Sequence, residues 1–246
     1  MNTVLLEIDP SKLDPNNAVT FTFFTGYMAM LAASIFFFFE RGQVAGKWKT
    51  SLLVSGLITF IAAVHYYYMR DYFAATGNTP VTLRYIDWTL TVPLMCLEFY
   101  LLLKPAGAKS SFMWKLIAAS VLMLVAGYIG EARNPNGDTT HNVLWGVIST
   151  IGYLYILYSA WFGEAKQLAD SSNSPAVKKG ITALAWFVLV GWAIYPIGYM
   201  CAPGGWLSST FKPEDVNLFY NLADAINKIG FGLVVYGIAT SESAKA

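Results

Sequence analysis

Seven stretches of this chain are long and apolar enough to cross a bilayer, and a soluble fold has nowhere to hide that many. A spanning helix needs roughly 20 mostly apolar residues. Such stretches cover about residues 18–39, 51–69, 85–103, 114–130, 142–163, 181–200 and 216–240. The turn-forming segments 76–80, 134–138, 171–175 and 203–205 fall between them. Only 13% of the 246 residues are charged, about half the ~25% of an ordinary soluble domain. The 16 basic and 15 acidic side chains leave a net charge of +1, so there is no electrostatic footprint for nucleic acid. Cys96 and Cys201 both sit in apolar runs, which argues against a disulfide framework or a metal site. No linker is long enough to divide the chain. The expectation is an all-α membrane protein, one seven-helix domain over residues 1–246.

Basic residues set the orientation. The loops after the first, third and fifth segments carry Arg41, Lys47, Lys49, Lys104, Lys109, Lys115, Lys166, Lys178 and Lys179, with Lys245 at the same side. The opposite side holds Lys12, Arg70, Arg84, Arg133 and Lys212. That excess predicts an extracellular N-terminus and a cytoplasmic C-terminus. The first residues, with Glu7, Asp9 and Asp14, lack the basic start of a signal peptide.

Against this background the ionisable residues inside the apolar segments stand out: His65, Asp87, Glu98, Asp224 and Lys228, with Arg84 at the mouth of the third. A charge at mid-bilayer costs at least ~2.5–3.5 kcal/mol and is a functional hypothesis by default. Asp224 and Lys228 are four apart and share a helix face. Asp87 and Glu98 are eleven apart, which returns them to one face about 16 Å apart along the axis. With the predicted orientation they form a file from outside to inside: Arg84, then Asp87 with His65 and Asp224, then Lys228, then Glu98. One amine between carboxylates on opposite sides suits a proton path with a switch in the middle. A lysine amine forms a Schiff base with an aldehyde. Trp88, Trp192, Tyr195 and Pro196 suit a long conjugated ligand, although an aromatic stripe by itself is more often core packing.

These residues resemble the microbial rhodopsins, and among them the proteorhodopsin group. The stretch Arg84-Tyr-Ile-Asp87-Trp88-Thr-Leu-Thr91-Val-Pro-Leu-Met95-Cys-Leu-Glu98-Phe is similar to that group's third helix almost throughout. Asn221-Leu-Ala-Asp224-Ala-Ile-Asn-Lys228 resembles its retinal-binding helix, and Gly191-Trp192-Ala-Ile-Tyr195-Pro196-Ile-Gly-Tyr its sixth. His65-Tyr66 and Gly127-Tyr-Ile-Gly130-Glu131-Ala fit as well.

The resemblance implies a light-driven outward proton pump, an ion transporter rather than an enzyme, in the bacterial inner membrane. Lys228 would carry all-trans-retinal as a protonated Schiff base, with Asp87 as proton acceptor and counterion and Asp224 as second counterion. Glu98 takes the place of the cytoplasmic proton donor, and Thr91 the motif position between acceptor and donor. His65 looks like the acceptor's histidine partner, which tunes its pKa. Trp88, Tyr66, Met95, Trp192, Tyr195 and Pro196 would line the retinal, with Met95 at the colour-tuning position suggesting green absorption. Arg84 belongs to the outer proton network. Helix six, hinged near Pro196, is the natural mover to admit cytoplasmic water. The paired glutamates that release protons in bacteriorhodopsin have no clear counterpart. Similar proteins form pentamers or hexamers, so a homo-oligomer is expected. The rival reading is a sensory rhodopsin that drives a partner protein.

Overall fold

The computed structural model describes residues 16–134 and 136–245; Glu7, Asp9, Lys12 and Asp14 lie outside these. Among the described residues the fold is all-helical, with nine α-helices and seven candidate membrane spans. The first five spans contain α1 (Ala18–Glu40), α2 (Lys49–Thr76), α3 (Val81–Leu103), α4 (Ser110–Ala132) and α5 (Thr139–Trp161). A short helix, α6 (Glu164–Ser171), follows the fifth. The sixth span is α7 (Pro175–Trp186), a π-helical turn (Phe187–Gly191) and α8 (Ile194–Met200), and the seventh is α9 (Pro213–Ser243).

Most helices outrun the apolar stretches because capping signals, rather than hydropathy, decide where they stop. The second, expected over 51–69, runs on to Thr76, where Gly77 takes φ +68° and donates its N–H to Phe73, the usual left-handed stop. The sixth, expected from 181, starts at Pro175, with the Ser174 side chain accepting from the Val177 N–H. The fifth starts at Thr139, where Asp138 caps Thr140, and ends at Trp161, short of 163.

The sixth span also differs from an expected hinge at Pro196. The irregular stretch lies on the N-terminal side, at Phe187–Ala193. Proline has no N–H for the Trp192 carbonyl, and the Tyr195 N–H bonds there instead at 3.1 Å. One turn earlier the Trp192 N–H bonds the Phe187 carbonyl, five residues back, at 2.9 Å. The helix is widened in the turns that precede Pro196.

The spans pack in chain order, each mainly on its sequence neighbours, and the ring closes where α9 meets α1, α2 and α7. Large apolar side chains such as Phe39 and Val147 point outward, 77% and 56% exposed, as lipid-facing surface requires. Arg84, Asp87, Glu98, Asp224 and Lys228 point inward and are buried.

Small residues let helices touch, as is general in membranes. Between the sixth and seventh spans Gly180 lies against Ile238, Phe187 against Gly230, Gly191 against Asn227, and Gly198 against Tyr220. The paired numbers sum to 417 or 418, a constant antiparallel register. Gly152 of α5 lies against the backbone of α4, and a Cβ there would collide with the Ala119 carbonyl. Backbone cannot give way, so Gly152→Ala should destabilise by roughly 1–3 kcal/mol, as overpacking does. Gly237 has nothing within 4 Å of its Cβ position, so Gly237→Ala should leave the melting temperature level or slightly raised. Loss of helical circular dichroism on heating reads both; equal shifts would contradict the packing.

Candidate functional site

Lys228 sits on α9, with only 3% of its surface exposed. Its Nζ donates to Asp87 Oδ2 at 2.8 Å and lies 3.2 Å from Asp224 Oδ1. One buried cation thus faces two carboxylates, an arrangement that needs other donors to hold it.

Those donors are divided unequally. The Asp224 carboxylate accepts from Tyr66 and from Tyr195, each at 2.6 Å, and from Trp88 Nε1 at 3.2 Å. Asp87 has Lys228 on one oxygen, and its Oδ1 is buried without a hydrogen-bond partner. His65 Nδ1 comes within 3.8 Å of that oxygen but donates to the Ile61 carbonyl at 2.8 Å. A carbonyl only accepts, so this ring nitrogen carries the proton. Thr91 donates to the Asp87 main-chain carbonyl at 2.9 Å, not to its carboxylate.

On the side of Asp224 toward the start of α9, Arg84 is held by amides. One guanidinium nitrogen donates to Asn217 at 3.0 Å and to Asn221 at 2.8 Å, and the other reaches Tyr66 at 3.4 Å. The rings of Tyr220, Phe23 and Tyr66 surround it at 5.0, 5.3 and 5.9 Å. Tyr85 turns toward α4 and donates to Glu131 at 2.9 Å. Glu98 is buried further along α3, with one oxygen accepting from Ser55 at 3.1 Å and the other unpartnered.

A largely apolar cavity of about 450 Å3 lies beside the triad, with Trp88, Trp192, Tyr195 and Pro196 in its wall. That volume is within the ~300–1,000 Å3 of small-molecule sites. Trp88 and Tyr195 are at once cavity wall and donors to Asp224, so the cavity stands one side chain from the lysine. Asp224 stands between the amine and that wall, and a buried primary amine this near an aromatic slot fits a covalently attached conjugated aldehyde.

The geometry brings together Lys228, Asp87, Asp224, His65, Trp88 and Tyr195. Tyr66, expected at the ligand, donates to Asp224; like Lys228, neither it nor Met95 is in the wall of this cavity. Sequence reasoning missed Asn217, Asn221, Ser55 and the Tyr85–Glu131 pair. The two asparagines carried a usable signal, since 217, 221, 224 and 228 follow one face of a helix.

The profile of the family described as Bacteriorhodopsin-like protein matches residues 17–241. The chain belongs to that family. It is 46% identical over 237 residues to the blue-light absorbing proteorhodopsin of Gamma-proteobacterium Hot 75m4, covering 95% of this chain and 91% of the relative. It is 42% identical over 235 residues to the green-light absorbing proteorhodopsin of Gamma-proteobacterium EBAC31A08, with the same coverage of each. The solved structure of xanthorhodopsin, described as a light-driven ion pump with dual chromophore, superposes with a TM-score of 0.82 at 30% identity. That match covers 94% of this chain and 96% of the other.

The uneven donor distribution has a measurable consequence. Asp224→Ala strands Tyr195 and Trp88 in the interior and leaves Tyr66 only the Tyr220 carbonyl, at 3.1 Å, whereas Asp87→Ala strands no such set. Unpaired buried donors cost about 1–3 kcal/mol, so Asp224→Ala should be less stable than Asp87→Ala by roughly that amount. Thermal unfolding of the two purified variants compares them, and equal midpoints would refute the accounting.

Proposed function

We propose that this protein is a light-driven proton pump of the bacterial inner membrane, carrying all-trans-retinal on Lys228 and moving protons outward. The observation that carries the reading is the buried amine between a saturated carboxylate and an unsaturated one, beside an aromatic cavity. Family membership and the light-driven relatives support it. When bound, retinal supplies light absorption and a photoisomerisation that redirects the proton on the lysine nitrogen.

The chain's own groups do the rest. Asp87 is the acceptor, since Oδ2 is already 2.8 Å from the lysine nitrogen and Oδ1 has a free lone pair. Asp224, fixed by three donors, keeps its place and its charge while the proton moves past it. Arg84 supplies the compensating positive charge on the outer side. Glu98, with Ser55 orienting one oxygen, returns a proton to the lysine nitrogen from the cytoplasmic side. The excess of basic residues in the loops after the first, third and fifth spans supports this direction. Moving one charge against 100 mV requires about 2.3 kcal/mol, well within what an absorbed photon delivers.

Two outcomes are expected. Lys228→Ala in retinal-fed membranes should have no visible absorption band, while Glu98→Gln should keep the band and recover more slowly after a flash. Retained colour in the first would refute the attachment site, and unchanged recovery in the second would remove Glu98 from the path. Illuminated cells should acidify the medium, and an uncoupler should abolish the signal. A coloured protein without acidification would favour the sensory reading.

A further inference from the structure

We propose that Asn227 is a positioning residue that ties the π turn of the sixth span to the lysine-bearing turn of α9, and that the tie holds the turn closed in the dark. The inference rests on the retinal reading above and assigns the part of the protein that answers to displacement of Lys228.

The π turn cannot satisfy its own backbone. Its widened bond from Trp192 to Phe187 takes the place of a regular α-helical ladder, and π turns are frequent at functional sites for this reason. Side chains from two other helices supply the missing donors. From α5, the Tyr153 hydroxyl donates to the Val188 carbonyl at 3.0 Å, with Leu189 at 3.4 Å. From α9, the Asn227 amide donates to the Gly191 carbonyl at 2.9 Å and reaches the Tyr195 hydroxyl at 3.4 Å. Asn227 therefore grips the sixth span on both sides of the break, at the last residue of the π turn and in the first turn of α8. Its orientation is fixed, because the opposite amide flip would set two oxygens against each other.

Two further features make this contact specific. Asn227 Oδ1 occupies the place of a Cβ at Gly191, so only glycine admits the amide. Asn227 also immediately precedes Lys228 and is itself 97% buried, with 3% of its surface exposed. Any shift of the main chain that bears the lysine moves the amide off the Gly191 carbonyl. The Tyr153 clamp comes from α5 and is not tied to the main chain that bears the lysine.

Hydrogen–deuterium exchange over residues 187–196, in the dark and under illumination, tests this with Asn227→Ala and Gly191→Ala. The second variant keeps both polar groups of the tie and displaces the amide by its methyl. Both variants should raise dark exchange about tenfold, the scale set by one net hydrogen bond, whether or not retinal is bound. In the unmodified pigment, light should raise exchange in the same segment; in the variants, light should add little. A residue that merely packs would raise dark and illuminated exchange by the same factor, and that result would overturn the proposal. Unchanged dark exchange in both variants would overturn it as well. If the unmodified protein formed no pigment, the retinal reading would fall, while dark exchange in the unloaded protein would still judge the tie.

Discussion

A primary amine buried between two carboxylates is the interaction that everything else in this molecule accommodates. The cluster of Lys228, Asp87 and Asp224 carries one excess negative charge out of water, and ions removed from water without compensation do not stay in a fold. The compensation comes from several helices. Tyr66 of α2, Trp88 of α3 and Tyr195 of α8 converge on Asp224, and Arg84 stands behind them in a shell of amides and rings. A carboxylate that takes donors from three helices while sitting on a fourth also registers those helices against one another. The same donors leave Asp87 as the undersupplied partner, so the two carboxylates of one cluster are not equivalent.

Charged groups were legible in the sequence because each one in a span carries an unmistakable energetic cost. Asp87, Glu98, Asp224 and Lys228 announce themselves against an apolar background, and their spacing alone aligns them. Neutral polar groups carry a smaller penalty and so a weaker signal. Asn217, Asn221 and Ser55 could equally have faced a helix backbone, and only the packing shows that they hold Arg84 and Glu98.

The broken sixth span was the least legible feature. Pro196 signals irregularity but not its extent, because the missing N–H passes its effect back through Tyr195 and Trp192 to Phe187. Whether a chain kinks at the proline or widens upstream depends on donors from other helices. Here Tyr153 and Asn227 reach the Val188 and Gly191 carbonyls, 35 and 36 positions away in sequence.

The interlocking seam between the sixth and seventh spans limits how those helices can part. Its bulky members come from both sides: Ile238, Asn227 and Tyr220 project from α9 into glycines opposite, while Phe187 of the π turn projects over Gly230. Sliding along the axis would drive each projection into the next turn of its neighbour, and rotation about the axis would do the same. The remaining degree of freedom is a swing away from the seam. Because the regular ladder is interrupted at the π turn, a swing of the half that contains α7 need not carry α8 with it.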